Sequence, residues 1–243
     1  MSGKDRIIVA LDVVIGDHAV ELVRQLKGHV GVFKAGLELV TAEGTQVLKR
    51  LRDAGAERIF YDAKLHDIPN TVAGAMKSVA RLGAWCVTVH ATGGYVQLEA
   101  AVKSAWETST QESLPRPKVL AVTVLTSIST EALASELKVG LSVSEYVAEL
   151  ATMAQRAGCD GVIASPHEIE VVRAAVNDPD FLIVTPGVRP AGADKGDQAR
   201  VMTPSEAIER GASYLVIGRP IVAAADPLAA ADRIAEEISQ ALP

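Results

Sequence analysis

Residues 57–71 read ERIFYDAKLHDIPNT, a strand-like run that passes into charged residues and then into the start of a helix. A β-strand projects alternate side chains to the same face, so Asp62 and Lys64 are expected to point the same way. Isolated ionisable residues at the end of an apolar strand are costly to desolvate. An acid and a base in alternation here therefore indicate a device that holds charge in a defined position.

The strand is not expected to continue through this whole segment. Pro69 lacks the amide donor that a strand needs, and it restricts the residue before it to extended conformations. Asp67 is therefore expected in the loop that opens the following helix, with Asn70 or Thr71 as the residue that caps this helix. Residues 57–71 thus predict a strand, a short loop and a helix, in that order.

The same unit is repeated along the chain, because short β-rich runs alternate with longer amphipathic stretches. Most of the short runs are nearly continuous in Val, Ile, Leu and Ala, which is the pattern of strands buried on both faces. The predicted strands are Arg6–Leu11, Val32–Ala35, Arg58–Tyr61, Trp85–Val89, Val119–Leu125, Gly161–Ala164, Leu182–Thr185 and Tyr214–Ile217.

The stretches between the strands have apolar residues at helical spacing, as in Thr45–Ala54, Val143–Ala157 and Pro227–Ala241. Eight strands, each followed by a helix, predict a (β/α)8 barrel in a single domain over residues 1–243. An open, doubly wound sheet is the main alternative. It is disfavoured because residues 11–16, LDVVIG, are not a glycine-rich dinucleotide fingerprint. Glycines predicted to end helices before a strand are Gly55, Gly83, Gly158 and Gly211.

Composition limits the classes of function. The 243 residues are 49% apolar and carry a net charge of −6, which argues against a broad nucleic-acid surface but leaves room for a local phosphate site. The first residues lack the apolar stretch of a signal peptide, and no apolar run approaches the length of a membrane span. Cys86 and Cys159 each lie in or beside an apolar run, as reduced, buried thiols do. We therefore expect a cytoplasmic protein with no membrane partner.

Active-site groups of (β/α)8 barrels lie at the carboxyl ends of the strands. Nearly every predicted strand here ends in a polar or charged residue, and this accumulation favours an enzyme over a structural module. In chain order these residues are Asp12, Lys34, Asp62 with Lys64, His90, Thr126, Ser165, Arg189 and Arg219.

Lys34 is a lone cation in an apolar run, VFKAG at residues 32–36, and its strand neighbours the one that carries Asp62 and Lys64. Opposite charges about 4 Å apart attract by roughly 4 kcal/mol at an effective dielectric constant near 20, so this array would keep Lys64 a cation. His66 is expected at the surface or behind the residues that contact a ligand, and His90 either in the core or in a pocket wall. No set of residues has zinc-ligand spacing.

A second informative segment, residues 185–204, reads TPGVRPAGADKGDQARVMTP. About 18 residues separate the seventh strand from the next helix, whereas loops at this place usually span roughly two to six. Glycines, prolines and three cations make the segment look like a lid that carries anion ligands. Barrels commonly bind phosphate with the loops after strands seven and eight. The predicted phosphate ligands are Arg189, Gln198, Gly218 and Arg219.

These motifs resemble those of the orotidine 5′-phosphate decarboxylase family. The most specific is DAKLHDIPNT at residues 62–71, and LTS at 125–127, TPGVRP at 185–190 and DQARVMTP at 197–204 accompany it in order. Ile128 stands where a methionine is common, away from the functional positions. The resemblance extends from Asp12 to Arg219, effectively over the whole chain.

The resemblance implies a homodimeric barrel that converts orotidine 5′-monophosphate to uridine 5′-monophosphate and carbon dioxide in pyrimidine biosynthesis, with no metal or organic cofactor. It implies that Lys64 donates the proton to C6 of the pyrimidine and that Asp62 lies beside the departing carboxylate. Asp67 and Thr71 would reach the partner's site. The other implied substrate ligands are Asp12 and Lys34 for the ribose hydroxyls, Thr126 for the pyrimidine edge, and Arg189, Gln198, Gly218 and Arg219 for the phosphate.

Two alternatives stay open. A related sugar-phosphate decarboxylase or aldolase-like barrel shares an Asp-x-Lys-x-x-Asp element but acts through bound magnesium, and the IPNT continuation at residues 68–71 argues against it. A catalytically silent barrel that binds a phosphate ligand is the other alternative.

Overall fold

The computed structural model describes residues 1–190 and 202–242. Within them, eight parallel strands form a closed barrel in which each strand pairs with the next along the chain and the last pairs with the first. This architecture confirms the predicted (β/α)8 barrel. The strands are β1 (Ile7–Ala10), β2 (Val32–Ala35), β3 (Ile59–Leu65), β4 (Cys86–His90), β5 (Lys118–Val122), β6 (Gly161–Ile163), β7 (Leu182–Pro186) and β8 (Tyr214–Ile217).

Helices cover the outside of the barrel and bury their apolar faces against the strands. The described helices are α1 (Gly16–Leu26), α2 (Leu37–Glu43), α3 (Val47–Asp53), α4 (Pro69–Leu82), α5 (Tyr95–Glu112), α6 (Thr130–Ser135), α7 (Val143–Arg156), α8 (Ile169–Ala175), α9 (Pro204–Glu209), α10 (Arg219–Val222) and α11 (Pro227–Gln240). The three helices predicted from periodicity are confirmed to within two residues at each end. Positive φ angles occur at all the glycines predicted to end helices, Gly55, Gly83, Gly158 and Gly211.

Two strands end more than one residue away from the prediction. β3 runs on to Leu65, so Asp62 and Lys64 lie inside the strand instead of after it. It continues because Lys64 takes a positive φ of 48° and the pairing register with β4 shifts between Tyr61 and Leu65, as at a β-bulge. β5 ends at Val122, three residues earlier than predicted, and Thr126 lies in the turn beyond it.

The start of α4 also corrects the prediction that Asn70 or Thr71 caps it. The helix begins at Pro69, and the residue before it makes no side-chain capping bond. Proline is favoured at the first helical position because its φ is preset and its missing N–H has no helical partner there anyway. Asn70 and Thr71 therefore fall inside the first turn.

The interior of the barrel is apolar in its middle and polar toward the carboxyl ends of the strands. One layer of buried side chains fills its middle: Ile8, Val32, Phe60, Cys86, Leu120, Val184 and Tyr214. Two residues further along β2, β3 and β4, on the same face of each strand, lie Lys34, Asp62 and Thr88, all of them buried. The strand period thus places three polar side chains directly above the apolar layer, at the carboxyl end of the barrel.

Both cysteines are buried and unpaired, as predicted, and burial raises the pKa of the Cys159 thiol to about 12. Among the helices of the described residues, none is long and apolar enough to cross a bilayer.

Candidate active site

A cavity of about 510 Å³ opens at the carboxyl ends of the strands, where barrel enzymes have their active sites. Eight of the predicted site residues line it, drawn from β2 and β3 and from the segments that follow β1, β5, β7 and β8. They are Asp12, Lys34, Asp62, Lys64, Thr126, Arg189, Gly218 and Arg219. Glu38, at the start of α2, also lines the cavity and was not predicted.

The charged residues of the cavity form one alternating array. Lys34 Nζ lies 2.9 Å from Asp12 Oδ1 and 3.6 Å from Asp62 Oδ2. Lys64 Nζ donates a 2.7 Å hydrogen bond to the same Asp62 Oδ2. Asp62 therefore lies between two ammonium groups, as the alternation along β3 predicted for Lys64 and the neighbouring strand predicted for Lys34.

Asp62 is an anion that is largely shielded from water, since its side chain is 10% exposed. Burial alone would raise the pKa of this carboxyl group. The nearby Lys34 and Lys64 cations, with hydrogen bonds from Lys64 and Thr88, outweigh burial and hold the pKa below its usual value. The Lys64 side chain is 30% exposed and lines the cavity. Its ammonium group therefore pairs with Asp62 and is still accessible from the cavity.

Thr88 belongs to this array and was missed by the sequence interpretation. Its hydroxyl donates a 2.8 Å hydrogen bond to Asp62 Oδ1 and accepts a 2.9 Å hydrogen bond from the backbone N–H of Lys64. The available signal was a polar side chain at the centre of an apolar strand, CVTVH at residues 86–90. Most buried polar side chains of this kind have a hydrogen-bond partner.

Three of the predicted phosphate ligands also line the cavity. Gly218 precedes α10, Arg219 is its first residue, and both line the cavity with Arg189. The backbone N–H of Arg189 donates a 3.1 Å hydrogen bond to the carbonyl oxygen of Met202, which joins the two described ends of the long segment after β7. Gln198 lies outside the described residues.

Asp67 and Thr71 do not line the cavity of their own chain. Both are exposed, and Asp67 Oδ1 accepts a 2.6 Å hydrogen bond from the backbone N–H of Ile68. The Ile68 side chain beside them is 66% exposed. In a single chain, these two predicted site residues therefore stand apart from the charged array.

Nine polar or charged residues were predicted at strand ends, and two of them, Ser165 and His90, do not line the cavity. Ser165 instead accepts a hydrogen bond from the backbone N–H of His167. The ring of His90 packs against that of His66, with 5.1 Å between the ring centroids. Burial lowers the pKa of His90, and the His66 and Lys64 side chains lower it further against an opposing effect of Asp62. His66 is at the surface, as predicted.

The cavity thus has an ammonium group that can meet a reacting atom, and two arginines, Arg189 and Arg219, that follow other strands of the barrel. Such a site suits an anionic ligand whose phosphate is held away from the place where charge develops. Across residues 1–190 and 202–242, no group of three or more His, Cys, Asp or Glu side chains is arranged to hold a metal ion.

Comparison with known proteins places this chain in a family. Residues 5–234 match the family described as "Orotidine 5′-phosphate decarboxylase / HUMPS family". The orotidine 5′-phosphate decarboxylase of Moorella thermoacetica is 52% identical over 238 residues, covering 98% of this chain and 94% of that protein. The enzyme of that name from Heliobacterium modesticaldum is 49% identical over 242 residues, covering 100% of this chain and 99% of that protein.

A solved structure agrees with these relatives in sequence and in shape. The crystal structure of orotidine 5′-phosphate decarboxylase from Lactobacillus acidophilus superposes with a TM-score of 0.84 at 41% identity, covering 96% of this chain and 98% of that one. The similarity extends over the whole barrel, including the segments that carry the charged array. This chain belongs to the orotidine 5′-phosphate decarboxylase / HUMPS family, which confirms the resemblance drawn from its motifs.

Proposed function

We propose that this chain, a carboxy-lyase by its family, converts orotidine 5′-monophosphate to uridine 5′-monophosphate and carbon dioxide in the cytoplasm, with Lys64 as proton donor. The observation that carries this proposal is the Lys64 ammonium group, 2.7 Å from Asp62 and directed into the cavity. Family membership and the names of the relatives support the substrate.

The chemistry requires a fixed cation. When the bond between C6 and the carboxylate breaks, the electron pair stays on C6, where no adjacent group delocalises it. The Lys64 ammonium group stabilises this charge as it develops and then transfers a proton to C6, and the neutral amine regains a proton from water. Carbon dioxide leaves, and no electrons are gained or lost by the protein.

Asp62 is proposed to lie beside the departing carboxylate and to hold Lys64 in place. Asp12 and Lys34 are proposed to bind the ribose hydroxyls, since their 2.9 Å ion pair lies at the edge of the same array. Thr126, in the turn beyond β5, is proposed to bind the pyrimidine edge.

The phosphate is proposed to bind Arg189, Gly218 and Arg219, with Gln198 as a further ligand. A guanidinium group binds phosphate oxygens through two parallel hydrogen bonds, which suits Arg219 at the cavity wall. Because the phosphate is remote from the reacting bond, its binding energy can be used to close the site and exclude water. Loss of these contacts should therefore lower turnover as well as affinity.

We further propose a homodimer in which Asp67 and Thr71 complete the partner's site. These two residues are exposed and lie outside the cavity of their own chain, although they continue the motif that carries Asp62 and Lys64. The largely exposed Ile68 side chain between them is apolar surface that a partner would cover.

Substitution of Lys64 tests the mechanism. Lys64→Ala should leave a folded protein with essentially no turnover of orotidine 5′-monophosphate, followed by ultraviolet absorbance. The matched control is Lys118→Ala, which removes another strand lysine paired with an aspartate, 3.8 Å from Asp160. Near-normal activity of Lys64→Ala, or equal loss in the control, would contradict the assignment.

Mixing two inactive variants tests the dimer. If Asp67 acts across the interface, subunits with Lys64→Ala and subunits with Asp67→Asn should restore activity when they are unfolded together and refolded. Half of the dimers are then mixed, and one of the two sites in each is intact, so about a quarter of wild-type activity is expected. No recovery from well-folded mixed dimers would show that Asp67 acts within its own chain.

The two alternative functions predict other results in the same assay. A magnesium-dependent barrel would lose activity with EDTA and regain it with magnesium. A silent binding protein would give only a stoichiometric absorbance change.

A further inference from the structure

We propose that Thr88 is a positioning residue whose single hydroxyl group sets both the backbone of Lys64 and the carboxylate of Asp62, and so aims the Lys64 ammonium group. This inference rests on the proposed function. It concerns β4, a strand that contributes no residue to the cavity lining described above.

The first contact holds the backbone of Lys64. This residue has a φ of 48°, a left-handed conformation that side-chain-bearing residues seldom adopt without a local reason. The register between β3 and β4 shifts here, and the Lys64 N–H donates to Thr88 Oγ1 at 2.9 Å. The threonine hydroxyl thus takes the place of a carbonyl oxygen of the partner strand.

The second contact holds the carboxylate. Thr88 Oγ1 donates to Asp62 Oδ1 at 2.8 Å, which leaves Oδ2 to receive Lys64 Nζ at 2.7 Å. The torsion angle of the Asp62 carboxylate about its Cβ–Cγ bond therefore decides where the Lys64 ammonium group is held. Removing the hydroxyl would free this rotation.

The direction of both hydrogen bonds is determined by chemistry. A backbone N–H can only donate and an ionised carboxylate can only accept, whereas a hydroxyl has one proton to give and lone pairs to receive. Thr88 is completely buried, so water is not at hand to replace it. A hydroxyl at this position meets both demands at once.

The test compares three variants in steady-state decarboxylation. Thr88→Val keeps the shape and removes both hydrogen bonds. We expect kcat to fall about 100-fold, the scale of a misplacement near 1 Å, while KM stays within about twofold because the phosphate and ribose ligands are untouched. Thr88→Ser keeps the hydroxyl and should stay within about threefold of wild type.

The pH profile gives a second measurement that a purely structural role would not change. Because a hydrogen bond from Thr88 is among the effects that lower the pKa of Asp62, its loss should move the acid limb of kcat/KM to higher pH. Around Asp62, the facing charges are Lys34 and Lys64, and the titratable groups on β4 are Cys86 and His90. All four side chains are kept in Thr88→Val.

Thr185→Val is the matched control. Thr185 is a completely buried strand threonine that does not line the cavity, and among the described residues its hydroxyl has no hydrogen-bond partner. Its substitution should change neither kcat nor the pH profile. If Thr88→Val does not fold, Thr88→Ala replaces it in the comparison with Thr88→Ser, with the same loss of kcat expected.

The outcomes separate this inference from the proposed function. An active wild type with an equally active Thr88→Val, or a Thr88→Ser that loses as much as Thr88→Val, overturns the inference alone. An inactive wild type overturns the proposed function and the inference together. A fall in kcat with KM retained, rescued by serine, supports both.

Discussion

The replacement of Asp62 by asparagine tests the charged array most directly. The Asp62→Asn side chain would keep its size and an oxygen that can accept from Thr88, but it would lose the charge that faces Lys34 and Lys64. It would also turn amide donors toward these two cations. The substitution therefore isolates the charge from the shape.

The cost can be worked from the distances. At an effective dielectric constant near 20, separations of 2.7 Å and 3.6 Å correspond to attractions of about 6 and about 5 kcal/mol. The desolvation of the three groups offsets most of this attraction, and breaking a buried pair costs about 3–5 kcal/mol. Lys34 keeps Asp12 as a partner and Lys64 can turn toward water, so we expect about 3 kcal/mol of lost stability.

Turnover should fall much further than stability alone explains. Without the Asp62 carboxylate 2.7 Å away, the Lys64 ammonium group is no longer held in position. We therefore expect kcat to fall at least about 100-fold. The free energy of unfolding is measured by urea denaturation, and kcat is measured by ultraviolet absorbance on samples shown to be folded.

Asp160→Asn is the matched control at the other end of the barrel. Asp160 is 12% exposed, pairs with Arg116 at 2.6 Å and Lys118 at 3.8 Å, and accepts the backbone N–H of Val119 at 2.8 Å. Its loss should cost a similar free energy of unfolding and leave kcat unchanged. If both variants lose turnover equally, or if Asp62→Asn keeps near-normal kcat, the catalytic role of the array is refuted.

Three other perturbations have expected outcomes. Arg219→Ala should raise KM at least about tenfold if the proposed charge-assisted contact with the phosphate is lost, and an unchanged KM in steady-state assays would count against this role. Gly36→Ala should fold normally because its backbone is extended, but the new Cβ would lie 2.9 Å from Lys34 Nζ and displace it. We expect a KM about tenfold higher with stability within about 1 kcal/mol of wild type, whereas Gly140→Ala, whose Cβ would meet nothing within 4 Å, should change neither. The depressed pKa of Asp62 means that its contribution to stability is complete above the ordinary carboxyl pKa near 4 and is lost as pH falls through the lower folded-state value. The difference in unfolding free energy between wild type and Asp62→Asn, measured in urea, should therefore be constant from pH 7 to about pH 5 and shrink below it; an equal difference at pH 3 would contradict this reasoning.

The barrel and most of its cavity were predictable from local sequence. Continuous apolar runs identify strands buried on both faces, and the carboxyl ends of parallel strands in a barrel meet at one mouth. Side chains as far apart along the chain as Lys34 and Arg219 could therefore be assigned to one site before any contact was known. The structure places every predicted ligand in one cavity except Asp67 and Thr71, and Gln198, which lies outside the described residues.

The amino-acid order alone thus determined which segments form strands and which charged residues lie at the same end of the barrel. It could do so because the pattern of apolar and polar residues that indicates burial and alternation is read from positions close together in the sequence. Only the tertiary structure decided that Lys64 sits at a bulge with positive φ and that Thr88, on the next strand, holds it. Pairing between strands depends on register, and one shifted residue changes which side chains meet. The register shift between β3 and β4 cannot be predicted from local sequence. The hydrogen-bond partner of a buried hydroxyl group such as that of Thr88 is therefore known only from the assembled sheet.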